Sequence, residues 1–190
     1  MFELKIDEQL TLVLVKPDFA KSYYELVMKE QAYLNEWLVW PKLADSEEFF
    51  LSFINKSRKD YEEGKSLTCA IFYCDKLVGN ISFNSISTEL KKAEVGYWLS
   101  ANYQGKGIVT KSLSKLISYA FEQLDMERVQ ISVATENTPS RRVCERLGFK
   151  FEGAISNSEN IHGRIVAHAI YSISKAKWLT DVTKDDNVSL

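Results

Sequence analysis

Two glycines one residue apart, Gly105 and Gly107, run without a break into a long amphipathic stretch, and nothing else in the chain limits its fold as much. Val109, Leu113, Leu116, Ile117, Ala120 and Leu124 form one apolar stripe, so the spacing predicts a helix over 105–124. No Gly or Pro follows Gly107 until Pro139, so nothing punctuates that helix early. Upstream, Ala93 to Leu99 reads as a strand. Downstream, Arg128 to Thr135 alternates, with Val129, Ile131 and Val133 on one face. Strand, glycine loop, helix and strand make one crossover unit, which requires the two strands to be parallel.

Such a unit has a chemical use. The first turn of a helix leaves backbone N–H groups without intrahelical partners, and they point along the positive end of the helix dipole. Glycines let that backbone approach an anion closely. The turn therefore suits a diphosphate. The same two glycines also serve a tight turn with no ligand. A nucleotide P-loop is a poor fit, because its lysine follows the second glycine whereas Lys106 lies between Gly105 and Gly107. A dinucleotide fingerprint fails for want of a third glycine.

A second stretch, Asn137 to Gly153 (NTPSRRVCERLGFKFEG), bears on the choice. Together the two resemble the GNAT superfamily of acetyl-CoA-dependent N-acetyltransferases. Gln104, Gly105, Lys106, Gly107, Ile108 and Val109 match that family's pyrophosphate loop, and Thr110 follows in the helix. Asn137, Ser140 and the run Leu147-Gly148-Phe149 match its second cofactor motif. Val109 departs from the pattern, where a small residue is usual, but removes no N–H donor. The resemblance implies an α/β (α+β) fold with a mixed, strongly twisted sheet of about seven strands flanked by helices. It also implies a V-shaped splay between the two central parallel strands, where the acetyl-carrying arm of coenzyme A lies. The whole chain, 1–190, is then one acetyltransferase domain, with a loose polar tail from about 180 to 190.

The remaining segments fit one compact unit. Leu10 to Val15 reads as a strand apolar enough to be covered on both faces. Pro17 opens a helix whose inner face carries Phe19, Tyr23, Leu26, Val27 and Glu30. Asp45 with Glu48 looks like the capping pair of a second helix, whose buried side is Phe49, Phe50, Phe53, Ile54 and Tyr61 and which Gly64 ends. An aromatic stripe at that spacing is core, so no function is assigned to it. Leu67–Tyr73 and Lys76–Phe83 form a hairpin without the usual Asn-Gly. Thr138 or Asn137 caps the helix before Gly148. Phe149–Phe151 and Ile161–Ile173 are the last strands.

Composition excludes several classes. A net charge of −2 gives no footprint for nucleic acid or an anionic membrane. No apolar run is long enough to span a bilayer, and MFELKIDEQL lacks the apolar core of a signal peptide. Cys69, Cys74 and Cys144 are odd in number and fit no metal spacing, as in a reducing cytoplasm. His162 and His168, an even number apart, would share a strand face, but two ligands without a third make no metal site.

The resemblance assigns roles. Acetyl-CoA is the cofactor and CoA the product. The stretch through Trp37, Trp40 and Pro41 resembles the RimJ/RimL branch, which acetylates α-amino groups of ribosomal proteins. Glu159 matches that branch's proposed general base, with either histidine as an alternative. Ser140 matches the residue that protonates the leaving thiolate, and a backbone N–H near Leu99 steadies the thioester carbonyl. Trp37, Trp40, Tyr97 and Tyr171 would line the acceptor cleft, although the two tryptophans also suit a simple wedge onto the core. Cys144 reads as a buried apolar residue, not a nucleophile. Other acceptors, such as a polyamine or an aminoglycoside, stay open, as do a non-catalytic acyl-CoA-binding regulator and an unrelated α/β nucleotide module. Homodimerisation is compatible with the resemblance, though no patch in the sequence marks an interface.

Overall fold

The computed structural model describes residues 2–180, so all but the first residue of the expected polar tail lies outside the described residues. Its elements in chain order are β1 (Glu3–Lys5), β2 (Leu10–Leu14), α1 (Ala20–Leu34), α2 (Glu47–Glu62), β3 (Leu67–Tyr73) and β4 (Lys76–Ser87). They continue with β5 (Lys92–Leu99), α3 (Ile108–Glu122), β6 (Arg128–Ala134), α4 (Thr138–Arg146), β7 (Lys150–Ile161) and β8 (Arg164–Ser174). All eight strands join in one sheet, ordered β1-β2-β3-β4-β5-β6-β8-β7. Among the described residues only β5 and β6 pair in parallel, as the crossover through α3 requires.

Each strand shows one side chain in two to each face of the sheet, and the helices divide accordingly. Leu10, Leu12, Leu67, Cys69, Ile71, Ile81, Phe83, Val95, Val129 and Ile131 pack with Leu113, Leu116, Ile117 and Phe121 of α3. Full burial of each such leucine or isoleucine contributes about 1.5–3 kcal/mol, which is what seats α3 on the sheet. On the opposite face, Ala70 of β3 packs with Tyr23 and Val27 of α1 and with Phe50 and Ile54 of α2.

Several sequence expectations are corrected. Among the described residues the sheet has eight strands against the roughly seven expected, because Glu3–Lys5 pair with β2. β2 lies next to that edge and buries Leu10, Leu12 and Leu14 fully while Thr11 and Val13 stay half-buried, so it is not covered equally on both faces. Ser46, not Asp45, caps α2, its Oγ accepting from the Phe49 amide at 3.3 Å. The β3–β4 turn has the hairpin geometry without its usual residues: Cys74 and Asp75 take φ of 48° and 62°. Gly153 to Glu159 is part of a long strand, not a connection between two, and the β7–β8 register shifts between Ile155 and Glu159. His162 is in the turn after that strand, with φ 53°, so it does not share a strand face with His168.

Candidate active site

The seam between β5 and β6 opens partway along. Their pairing runs from Lys92 opposite Arg128 to Val95 opposite Ile131 and stops. β5 nevertheless stays paired to β4 as far as Leu99, and β6 to β8 as far as Ala134. Gly96–Leu99 and Ser132–Ala134 therefore form the two arms of a V, each held by its outer neighbour. Ser100 N–H donates to Val78 O at 2.8 Å, on the β4 side. Successive amides of a strand point to opposite edges, so the Leu99 N–H is directed into the gap.

The glycine loop closes one end of the V. Gly105 and Gly107 have φ of +72° and +73°, and a Cβ at either would meet no atom within 4 Å. The glycines are thus required by backbone conformation, and the space before them is open. Gly107 is the N-cap of α3 and no side chain caps it. The first intrahelical bond from this end is Lys111 N–H to Gly107 O, which leaves the Ile108, Val109 and Thr110 amides without helical partners. These are the donors a diphosphate needs. Lys106 lies over the Tyr103 and Tyr73 rings, 5.2 and 5.7 Å from their centroids. The Gln104 side-chain amide donates to the Tyr33 hydroxyl of α1.

α4 borders the gap on the same face. The Asn137 carboxamide accepts from the Ser140 amide at 3.2 Å, so Asn137, not Thr138, is the cap. That cap sets Ser140 in the first turn, where its Oγ is 2.8 Å from the Tyr97 hydroxyl of β5. Tyr97 also donates to Ser140 O at 3.2 Å. Burial holds the Tyr97 phenol above its ordinary range, so it stays protonated. Burial likewise pushes the Cys144 thiol up to about 12, which leaves it inert as a nucleophile. Tyr171 is 1% exposed, takes a bond from Arg141 Nε at 3.0 Å and donates to Glu145 at 3.2 Å. It braces α4 from within the core, so it does not line the acceptor cleft.

The other face of the V carries a cavity of about 510 Å³. Its walls include Trp40, Phe50, Phe53 and Trp98, and its floor is the polar series Asn80, Ser82 and Asn84 of β4. Tyr23 and Asn80 hydrogen-bond within it at 2.8 Å. Gly96, Tyr97 and Trp98 belong to both the cavity and the V, so the cavity reaches the gap. The aromatic residues of α2, expected to be core alone, thus also shape a cavity. Alternation of Asn80, Ser82 and Asn84 along one strand was the readable sign of a polar floor. Trp37 lies apart, packed on Ala134, Ile161 and Val166 with the Arg164 guanidinium 4.9 Å above its ring.

Glu159 and His168 meet across β7 and β8, with Oε2 3.2 Å from Nε2. His168 is in register with Ala134, at the open end of β6, which puts the pair beside the mouth of the V. The His162 ring is instead engaged with Leu38 O at 3.0 Å. No described helix is long and apolar enough to cross a membrane.

Residues 9–150 match the Acetyltransferase (GNAT) domain family. The ribosomal-protein-serine acetyltransferase of Escherichia coli (strain K12) is 32% identical over 172 residues, which are 86% of this chain and 96% of that one. The structure of RimL, a ribosomal L7/L12 alpha-N-protein acetyltransferase, in complex with coenzyme A superposes with a TM-score of 0.88 at 26% identity, over 91% of this chain and 98% of that one. The microcin C7 self-immunity acetyltransferase MccE in complex with acetyl-CoA and AMP gives a TM-score of 0.87 at 32% identity, over 90% and 95%. The matched family, the shared fold and the open seam agree, and the chain belongs to the GNAT acetyltransferases, enzymes that use acetyl-CoA, in their RimL-like ribosomal-protein-acetyltransferase branch.

Proposed function

We propose that this enzyme acetylates the N-terminal α-amino group of a protein, a ribosomal protein in the first instance. The observation that carries the reading is the V: donor amides and the Tyr97–Ser140 pair border it on one face, and a cavity reaches it from the other. Two substrates approaching from opposite faces meet there, and holding them together supplies much of the rate. The names of the E. coli relative and of RimL support a ribosomal acceptor.

When bound, acetyl-CoA supplies an activated acetyl group. Gln104 to Thr110 would hold its diphosphate through the loop and first-turn amides, and Asn137 keeps the first turn of α4 in place beside the gap. Leu99 offers its N–H to the carbonyl in the gap, where a fixed donor is worth more than water. Glu159, steadied by His168, takes a proton from the incoming ammonium, directly or through a water. As the nitrogen bonds to the acetyl carbon and the carbon–sulfur bond breaks, Ser140 Oγ would give its proton to the departing sulfur. It would regain one, through the Tyr97 hydroxyl or a water, as the nitrogen sheds its second proton. Trp40 lines the acceptor side, and Trp37 walls the region of Ala134.

The aromatic walls favour one second reading, an amine carried on an adenine nucleotide, in keeping with the AMP bound in the MccE structure. One screen separates them. Short peptides varied at residue one, their N-blocked forms, spermidine, an aminoglycoside and a stable aminoacyl-adenylate analogue are offered with acetyl-CoA, and released thiol is measured. Turnover of free but not blocked peptides is the expected result. Turnover of the adenylate or of spermidine alone overturns the protein-acceptor reading.

A further inference from the structure

One buried acid takes no part in the mechanism above. Glu30, on the inner face of α1, is only 8% exposed. Its carboxylate accepts from Ser100 Oγ at 2.5 Å, from the Ala101 amide at 2.8 Å and from Asn102 Nδ2 at 3.3 Å. Those three residues join the end of β5 to the glycine loop. The partners are a hydroxyl, a backbone amide and a carboxamide, not a cation. A buried carboxylate is costly to desolvate, and one without a cation is a poor device for stability alone. A second tie lies one turn along the same helix, where Tyr33 accepts from Gln104 at the start of the loop. Two turns before Glu30, Tyr23 of α1 lines the cavity on the acceptor side.

We infer that Glu30 is a positioning residue, which fixes the approach to loop 104–110 from α1 and so sets the loop's affinity for the diphosphate of acetyl-CoA. The inference rests on that loop being the cofactor site. Residues 100–102 carry the chain from a strand whose Leu99 amide is directed into the gap to a loop that leads into first-turn amides without helical partners. A carboxylate that gathers three donors from this short stretch leaves it one conformation. Without it, Ser100, which is 1% exposed, and Ala101 lose their acceptor. The stretch then turns toward water and carries the loop amides with it. Because α1 also reaches the acceptor cavity, Glu30 ties the placement of the cofactor loop to the helix that helps to wall that cavity.

The test compares Glu30→Met with Glu30→Gln. Methionine keeps the bulk and removes every acceptor. Glutamine keeps one acceptor for the Ala101 amide, while the Ser100 hydroxyl and the Asn102 carboxamide can each turn to receive its NH₂. CoA binding is measured by calorimetry well below the melting temperature, with steady-state kinetics alongside. Glu30→Met should weaken CoA binding about tenfold, the worth of one uncompensated buried donor, and the loss should fall on KM for acetyl-CoA more than on kcat. Glu30→Gln should restore most of the affinity. If Glu30→Met does not fold, Asn102→Ala and Tyr33→Phe, at an exposed and a half-buried site, should each weaken CoA binding about two- to fivefold. Unchanged CoA affinity in folded Glu30→Met, or in both of the milder variants, overturns the inference. Failure of the unaltered chain to bind CoA would remove the loop reading itself and this inference with it.

Discussion

At the scale of single residues, the chemistry concentrates on few atoms. Glu159→Gln should leave CoA affinity unchanged and lower turnover by about 10²–10⁴, the usual worth of a positioned base. Full activity in that variant would take Glu159 out of the mechanism. His168→Ala removes the partner 3.2 Å from the carboxylate. Its kcat should fall by about tenfold, as for one lost charge-assisted bond, with KM for acetyl-CoA unmoved. Gly107 tests the other substrate. Its φ of +73° costs any L side chain about 1–2 kcal/mol, and a β-branched one more. Gly107→Val should therefore pull the loop out of shape and abolish measurable CoA binding by calorimetry. Of these residues, Gly107 was legible in the sequence as a turn glycine because that conformation is local. The Glu159–His168 pair was not, since it depends on how β7 registers against β8.

At the scale of elements, caps and register decide what the side chains can do. Asn137 holds the first turn of α4 and thereby the Ser140 hydroxyl beside Tyr97. Asn137→Ala should cost about 1 kcal/mol of stability, read in a denaturant melt, and should lower kcat as well. The matching loss at Ser46, the cap of α2, should cost a similar amount and leave kcat intact, because Ser46 is far in sequence and contact from the V. If both variants changed only stability, α4 would have no part in placing Ser140. The helices themselves were readable from spacing, and α3 fell within the stretch predicted for it. The strand boundaries near the C-terminus were not. Polar, glycine-bearing residues 153–159 resemble a loop, yet 153–155 and Glu159 pair with β8, and only 156–158 bulge out of the ladder.

At the scale of the whole molecule, several exposed ion pairs clip distant segments together, as Lys111 does with Asp7 and Lys91 with Asp125. Hydrogen bonds from lysine hold the Asp7 and Asp125 carboxyls below their ordinary 3.8. Ser172 and then Lys150 hold Glu152 below 4.5. Folded-state pKa values depressed in this way give stability that is present above the unfolded values and is lost as pH falls through the folded ones. The melting temperature should therefore decline as pH drops from about 5 toward 3, modestly because these groups are exposed, and less in Asp125→Asn. A melting temperature flat across that range would deny the pairs any role. The residues alone made legible the crossover unit, the glycine turn that opens α3 and the two motifs that resemble the family, since each is carried by a short run of neighbours. Only the tertiary structure decided where the β5–β6 ladder ends, which acid meets which imidazole and how Glu30 reaches Ser100. Those contacts join residues up to about seventy positions apart, and their geometry is set by packing against both faces of one sheet, which no local pattern encodes.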